Sequence, residues 1–359
     1  MHPKELLPSR LAEVMKMTEG HLWCLSENFD RHYWPTRPRP VGKKIRELDV
    51  PKPFLKKQLR ALHRFLARDF HPHGIVHGGA SGKSCVTSAT VHCGRKYMIS
   101  RDIKDCYPSI SPEALHVKLL KYGFSVATAL LLSRLLTVRG HIPQGSPVSG
   151  DALNLFLHDG DVALGSFAGR RGTKLSRTYD DIIASVDVPD KISEVEDAIE
   201  AQIIGHDLAV NQKKKAEAGF QIHGNRPKVH NLVVEDRRGV GLPDDQARRA
   251  ISLAEVYRRS AKVVSAGSLA SVATKRAEIH GWMHYCRQIR FSPAAQIRRL
   301  MEAGDRYVAR RLKRVGLGSE TRQWWLQTER RNEPARIAKL WQRNCLLRAG
   351  VRTMGGALG

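Results

Sequence analysis

Arg177-Thr178-Tyr179-Asp180-Asp181-Ile182-Ile183 sets two adjacent carboxylates between two apolar, β-prone runs, 174–179 and 182–188. Such a pattern predicts a hairpin with the aspartates at its tip. Far upstream, Asp102 closes another strand-like run, Lys96-Tyr97-Met98-Ile99-Ser100-Arg101-Asp102. If that strand lies beside the hairpin, Asp102, Asp180 and Asp181 converge, with Ile103 next to the first as a further candidate for the metal site. A cluster of this kind suits two Mg²⁺ ions roughly 3.5–4 Å apart, with Mn²⁺ as a substitute. That arrangement activates an attacking hydroxyl and stabilises a leaving pyrophosphate, the chemistry of nucleotidyl transfer. Neighbouring residues of a strand point to opposite faces, so Asp102 and Asp180 are expected to lead and Asp181 to assist.

The bulk properties agree with a polyanionic partner. Sixty Lys and Arg stand against 35 acidic residues, a net charge of +25 on a chain that is 42% hydrophobic, and an excess of that size points to nucleic acid. It is uneven: residues 251–359 hold 22 basic and 7 acidic side chains. At 359 residues the chain is long enough for two or three subdomains, each with its own core. The six cysteines (24, 85, 93, 106, 286 and 345) include no CxxC pair, and there is neither a signal peptide nor an apolar run long enough to span a bilayer. A reduced, cytoplasmic, soluble protein with no membrane partner is expected.

In chain order, 4–18 reads as a packing helix, and the prolines of 33–40 forbid helix while its basic and aromatic residues suit a linker or a nucleic-acid contact. Lys44 and Arg46 precede an amphipathic helix at 54–70, where they are placed to meet a phosphate or to face solvent. His77-Gly78-Gly79-Ala80-Ser81-Gly82-Lys83-Ser84 is not a P-loop, because the leading glycine is replaced by His77. A glycine-rich turn with Lys83 facing a nucleic-acid backbone fits better. His71, His73 and His77 lack a carboxylate or cysteine to complete a metal set. Two helices joined near Gly123 fill 112–137, a turn-rich loop precedes an apolar helix at 151–167, and a helix spans 193–205. Short strands are expected at 208–215 and 229–235, followed by helices at 243–263, 268–289, 293–314 and 320–348.

The order of these segments resembles that of a reverse transcriptase of the bacterial retron-type and defence-associated group, over residues 43–290. Arg46 with Leu48 and Pro51 resembles the fingers motif, and Ser88-Ala89-Thr90-Val91-His92 resembles the retron signature Asn-Ala-x-x-His with Ser for Asn. Asp102-Ile103-Lys104-Asp105-Cys106-Tyr107-Pro108-Ser109-Ile110 matches the motif of the first catalytic aspartate, and Ile142-Pro143-Gln144-Gly145-Ser146-Pro147 is the most specific match. Asp180-Asp181 with Ser185 matches the second metal motif; Gly205, Asn211 and Lys214 resemble the next palm motif, and Gly281 to Tyr285 the thumb pattern. Two departures stand out besides Ser88. Thr178 occupies the Tyr position of Tyr-x-Asp-Asp, and Val229-His230-Asn231 stands where retron enzymes carry Val-Thr-Gly.

The resemblance implies an α+β right-hand polymerase, with fingers in 1–95, palm in 96–238 and a basic helical thumb in 239–359. It implies Lys44, Arg46 and Lys214 at the triphosphate, Tyr107 at the sugar, and Gln144 and Gly145 at the nascent pair. Lys83, His92, Arg258, Arg259, Lys275, Arg276, Arg298, Arg310, Arg311, Lys313 and Arg314 are the candidates for contact with nucleic acid. The expected activity is RNA-directed DNA synthesis from deoxynucleotides on a structured non-coding RNA, yielding cDNA, in antiphage defence. An effector protein or a second copy of the chain is a further candidate partner. An RNA-binding scaffold that restrains an effector, and a mobile-element enzyme related to group II introns, are the alternatives.

Overall fold

In the computed structural model, residues 3–41, 44–213, 220–222, 227–235, 239–317 and 342 are described. They form two compact units, one of 1–230 with 234–238 and one of 231–233 with 239–359.

The first unit opens with helices α1 (Pro8–Val14) and α2 (Glu19–Glu27). The proline-rich stretch then becomes strand β1 (Arg37–Val41), paired antiparallel with β2 (Lys44–Leu48) so that Arg39 lies opposite Arg46. Prolines survive there because each strand of a two-stranded ribbon has a free edge that needs no N–H. Helix α3 (Pro53–Asp69) follows, with Leu55, Leu59, Leu62, Phe65 and Leu66 on its buried face as the apolar spacing requires. The short α4 (Cys85–Thr90) is started by Ser84 and Thr87, whose side chains each bond the other's backbone N–H.

A four-stranded antiparallel sheet carries the centre of this unit. Its strands are β3 (Tyr97–Asp102), β4 (Lys174–Thr178), β5 (Asp181–Val186) and β6 (Phe220–Ile222), in the order β4-β5-β3-β6. Helices α5 (Pro112–Tyr122) and α6 (Val126–Leu136) intervene, joined at Gly123, whose φ of 108° needs a residue without Cβ. The apolar helix expected at 151–167 is two helices, α7 (Ser149–Phe156) and α8 (His158–Arg171), broken at Leu157. Helix α9 (Lys191–Ile204) lies against β3, where the buried Arg101 pairs with Glu196 and Glu200. One hydrophobic core runs from Leu6 to Val210.

Two strand expectations are corrected. Within 208–213, the described part of the first, the ladder is reduced to one bridge, Ile103 with Val210, and Gln212 and Lys213 are already helical. The strand at 229–235 is interrupted by a turn between β7 (Lys228–Val229) and β8 (Leu232–Glu235). Its central residues His230 and Asn231 have φ of 48° and 63°, and two positive φ values in succession make a tight reversal that Asn tolerates well.

From residue 239 the second unit holds β9 (Gly239–Gly241) and, among the described residues, the helices α10 (Asp244–Lys262), α11 (Leu269–Arg287) and α12 (Ala294–Arg314). Helices α10 and α12 meet closely at Gly304, where a Cβ would sit 2.3 Å from the Tyr257 ring. The helix expected at 320–348 lies outside the described residues, as does Lys214.

The sheet's hairpin is locked from behind. Arg177 is 1% exposed, and its Nε and Nη2 donate to the two oxygens of Asp161 at 2.7 and 2.6 Å. Removing one partner of a buried pair leaves an uncompensated charge, at a cost of about 3–5 kcal/mol. Asp161→Ala is therefore expected to lower the unfolding free energy by that amount in urea titration; an unchanged midpoint would show the pair to be idle.

Candidate active site

The hairpin turn is made by two residues, Tyr179 and Asp180, between the paired Thr178 and Asp181. Tyr179 has φ of 58°, and its carbonyl is held by Arg177 Nη1 at 2.9 Å. The loop ahead of α4 buttresses the turn: His77 and Gly78 both donate backbone N–H to the carbonyl of Arg177. A Cβ on Gly78 would lie 2.4 Å from the Tyr179 nitrogen, so only glycine fits there.

Asp102, at the end of β3, lies directly across from Asp181 in the ladder. Asp180 is fixed beside it by the Ile103 N–H, which donates to the Asp180 carbonyl at 2.9 Å. Asn211 clamps Asp102 twice, from its backbone N–H to the Asp102 carbonyl and from Nδ2 to Oδ2 at 2.9 Å. Asp102 and Asp180 open with Ile103 and Tyr107 onto one cavity of about 840 Å³. Asp181 does not line it. Its Oδ1 accepts from the Ser100 hydroxyl at 2.8 Å, and His230 Nδ1 approaches Oδ2 to 3.5 Å. The three aspartates thus come to adjoining positions, while no group of three or more His, Cys, Asp or Glu arranged for a metal occurs among the described residues. Asp102 and Asp180 line the cavity, and Asp181, paired with Asp102, is bonded to Ser100 beside them.

The opposite wall comes from β2, with Arg46 exposed at the rim, and from the loop of Gln144 and Gly145. The side chain of Lys44 lies outside the described residues. Gln144 accepts through its carbonyl the N–H of Asp49 at 2.8 Å, and Gly145, with φ of 120°, leaves a would-be Cβ 3.1 Å from the Asp49 carbonyl. Asp49 itself was not singled out by sequence reasoning. It is 2% exposed and receives hydrogen bonds from Thr36 and Arg139 and from His141 Nε2 at 3.0 Å, tying the ribbon to the loop. Nothing in the linear sequence marks it, because its partners Arg139 and His141 lie about ninety residues away.

Burial sets the protonation of the site. The Tyr107 phenol is pushed well above its usual range by burial, then by the neighbouring Cys106 and Asp180. The Cys106 thiol is raised by burial and by the same carboxylate, which keeps it protonated. Behind the hairpin, burial holds His77 down at about 4, with Lys83 and His230 adding repulsion, and His92 down at about 3.

The nucleic-acid candidates divide. His92 is wholly buried, bonded to Ser185 and Ser176, and Arg276 is 3% exposed and paired with Asp305; neither reaches a surface, and both expectations are corrected. Lys83 turns inward onto the Gly74 carbonyl. Arg258 pairs with Glu255 and Lys275 donates to Ser271, both half-buried. Arg259 on α10 and Arg298, Arg310, Arg311, Lys313 and Arg314 on α12 are exposed.

No protein-family model matches the chain. Among curated proteins it is homologous to enzymes that copy RNA into DNA, the reverse transcriptases, and in particular to those of retrons. It is 25% identical to "Retron Ec86 reverse transcriptase" of Escherichia coli over 227 residues, which covers 61% of this chain and 68% of that protein. It is 28% identical to "Retron Mx162 reverse transcriptase" of Myxococcus xanthus over 265 residues, covering 61% and 51%, and 28% identical to "Retron Se72 reverse transcriptase" of Salmonella heidelberg, covering 58% and 56%. The chain thus spans between about half and two thirds of the length of these relatives. Of solved structures, apo telomerase from Candida tropicalis aligns with a TM-score of 0.42 at 13% identity, over 91% of this chain and 73% of that one. Telomerase from Candida albicans with a fragment of telomeric RNA aligns with a TM-score of 0.43 at 11% identity, over 88% and 67%. Likenesses that slight carry no weight. No described helix is long and apolar enough to cross a membrane.

The histidines predict a pH dependence of stability. Their pKa values lie below the unfolded value of about 6.5, so the unfolded chain binds more protons and stability drains as pH falls from 6.5 toward 4. Asp151, raised to about 6 by burial despite its bond to His63, works in the opposite sense: its contribution is full below about 3.9 and lost as pH rises through 6. Two histidines outweigh one aspartate. The unfolding midpoint is expected to drop between pH 7 and pH 5, with a shallower slope in His92→Gln. A flat profile would contradict this.

Proposed function

We propose that the chain is an RNA-directed DNA polymerase, adding deoxynucleotides to a primer on an RNA template. The observation that carries this reading is that Asp102 and Asp180, from distant segments, open onto one cavity faced by Gln144, Gly145 and Arg46. The homology to retron reverse transcriptases supports it.

The donor set fits Mg²⁺. Hard oxygen ligands are what that ion takes, and at phosphoryl-transfer sites it usually relies on one or two protein carboxylates with the substrate's phosphates supplying the rest. Asp102 and Asp180 would hold it, with Ile103 contributing through its backbone, and Mn²⁺ would serve in its place. When bound, the metal supplies charge that lowers the pKa of the attacking hydroxyl and steadies the leaving pyrophosphate. The protein's part is positioning. Asn211 orients Asp102, Arg177 fixes the turn that presents Asp180, and Asp49 ties the loop of Gln144 and Gly145 to the ribbon. Arg46, with Lys44 and Lys214, would meet the triphosphate, and the Tyr107 ring would exclude a ribose 2′-hydroxyl. Arg259 and the basic residues of α12 would bind template and product through phosphates, an interaction that weakens steeply with salt.

By the same resemblance the division is fingers 1–95, palm 96–238 and thumb 239–359. The template is a structured non-coding RNA copied into cDNA, in cytoplasmic antiphage defence, with an effector or a second copy of the chain as partner.

Asp102→Asn and Asp180→Asn are each expected to reduce primer extension by at least about 1,000-fold, since each change removes a charge set against developing transition-state charge. RNA binding, followed by filter retention, should be retained. Full extension by either variant would reject the polymerase reading; unaltered biological activity with extension abolished would favour an RNA-holding scaffold. Gly145→Ala should raise the deoxynucleotide KM several-fold through strain at its positive φ, and a normal KM would show the loop is not part of the nucleotide site.

A further inference from the structure

Asp102 and Asp181 are Cα partners across an antiparallel ladder, and like charges directly opposite one another repel. The structure answers with a chain of polar groups, on the same face of the sheet, that reaches Asp181. Ser185 Oγ lies 2.8 Å from His92 Nδ1, His92 Nε2 lies 2.8 Å from Ser176 Oγ, and Ser176 Oγ lies 2.8 Å from Ser88 Oγ. Ser88 Oγ lies 3.0 Å from His230 Nε2, and His230 Nδ1 faces Asp181.

Proton counting gives this chain one direction. A carboxylate accepts only, so His230 Nδ1 carries the hydrogen and its Nε2 must accept from the Ser88 hydroxyl. Ser88 then accepts from Ser176, Ser176 from His92 Nε2–H, and His92 Nδ1 from Ser185. Every hydroxyl donates once and both imidazoles are neutral, in keeping with the burial that disfavours their charged forms. Reversing the Ser176–Ser88 bond alone would leave the Ser88–His230 contact without a hydrogen.

The two ends of the last link, Ser88 and His230, are positions at which this chain departs from the retron pattern, one replacing Asn and the other Thr. They are 142 residues apart in sequence and touch in the structure. The imidazole at 230 is what reaches Asp181.

We propose that His230, aligned by Ser88, is a positioning residue that fixes the orientation of the Asp181 carboxylate beside Asp102 and Asp180. This rests on the polymerase reading for its consequence but not for its contact. His230→Ala removes the link. His230→Asn keeps it, because the amide nitrogen stands near the place of Nδ1 and Asn tolerates the positive φ.

The test is primer extension and urea unfolding on the full chain, for His230→Ala, His230→Asn, Ser88→Ala, Asp181→Asn and the double variant Asp181→Asn/His230→Ala. The rate per titrated active site is expected to fall about ten-fold in His230→Ala, equivalent to about 1.4 kcal/mol, with the deoxynucleotide KM within about two-fold of normal. His230→Asn should recover most of the rate, and Ser88→Ala should fall between. In the Asp181→Asn background the His230→Ala change should cost nothing further. An equal cost in both backgrounds, or an unchanged rate in His230→Ala, overturns the proposal. If wild type shows no extension dependent on Asp102, the polymerase reading fails by itself. The unfolding cycle between 230 and 181 then decides the contact: a coupling supports it and strict additivity overturns it.

Discussion

The buried guanidinium of Arg177 is what the site rests on. Four of its N–H groups are spent on Asp161, Asn154 and the carbonyl of Tyr179, with both Asp161 bonds at 2.7 Å or less. A charge this deep is tolerable only when paired and hydrogen-bonded, and satisfying it fixes three separate elements at once. Asn154 lies on α7 and Asp161 on α8, and the Tyr179 carbonyl is the turn of the β4–β5 hairpin. The backbone of the same residue pairs with Ile75 and His77, which draws the glycine-rich loop against the turn. The position of Asp180 is therefore set by a residue that never touches the cavity.

The glycine-rich stretch takes its meaning from this arrangement. Gly78 sits where a Cβ would meet the hairpin backbone, so the glycine answers close packing and not phosphate binding. Lys83, next in that segment, is occupied by the Gly74 carbonyl. The same reasoning separates the two aspartates of the hairpin. Asp180 sits in the turn and lines the cavity, whereas Asp181 begins β5 opposite Asp102 and is bonded to Ser100 with His230 close by. Adjacent in sequence, they have different electrostatic surroundings.

Much of the frame was legible along the chain. Apolar spacing located the helices at 112–137 and 243–314 to within a few residues, because an amphipathic period reports burial wherever one face meets a core. The hairpin and the strand ending at Asp102 were legible for the same reason. What local pattern did not report was where polar side chains find their partners. His92 and Arg276 read as surface contacts and are core residues bonded to Ser176 and Asp305; Asp49 read as nothing and is the tie between ribbon and loop.

By itself, then, the sequence determined that two acidic turns and strand ends exist, that the chain is strongly basic, and that a mixed α/β portion precedes a helical one. These follow from periodicity, composition and turn chemistry, which act over a few residues. Only the tertiary structure decided that Asp181 lies opposite Asp102 and bonds Ser100, and that Ser88 meets His230. Those outcomes depend on strand register and on hydrogen bonds closed across 81 to 142 residues, and no short-range rule constrains which distant donor a buried acceptor will find.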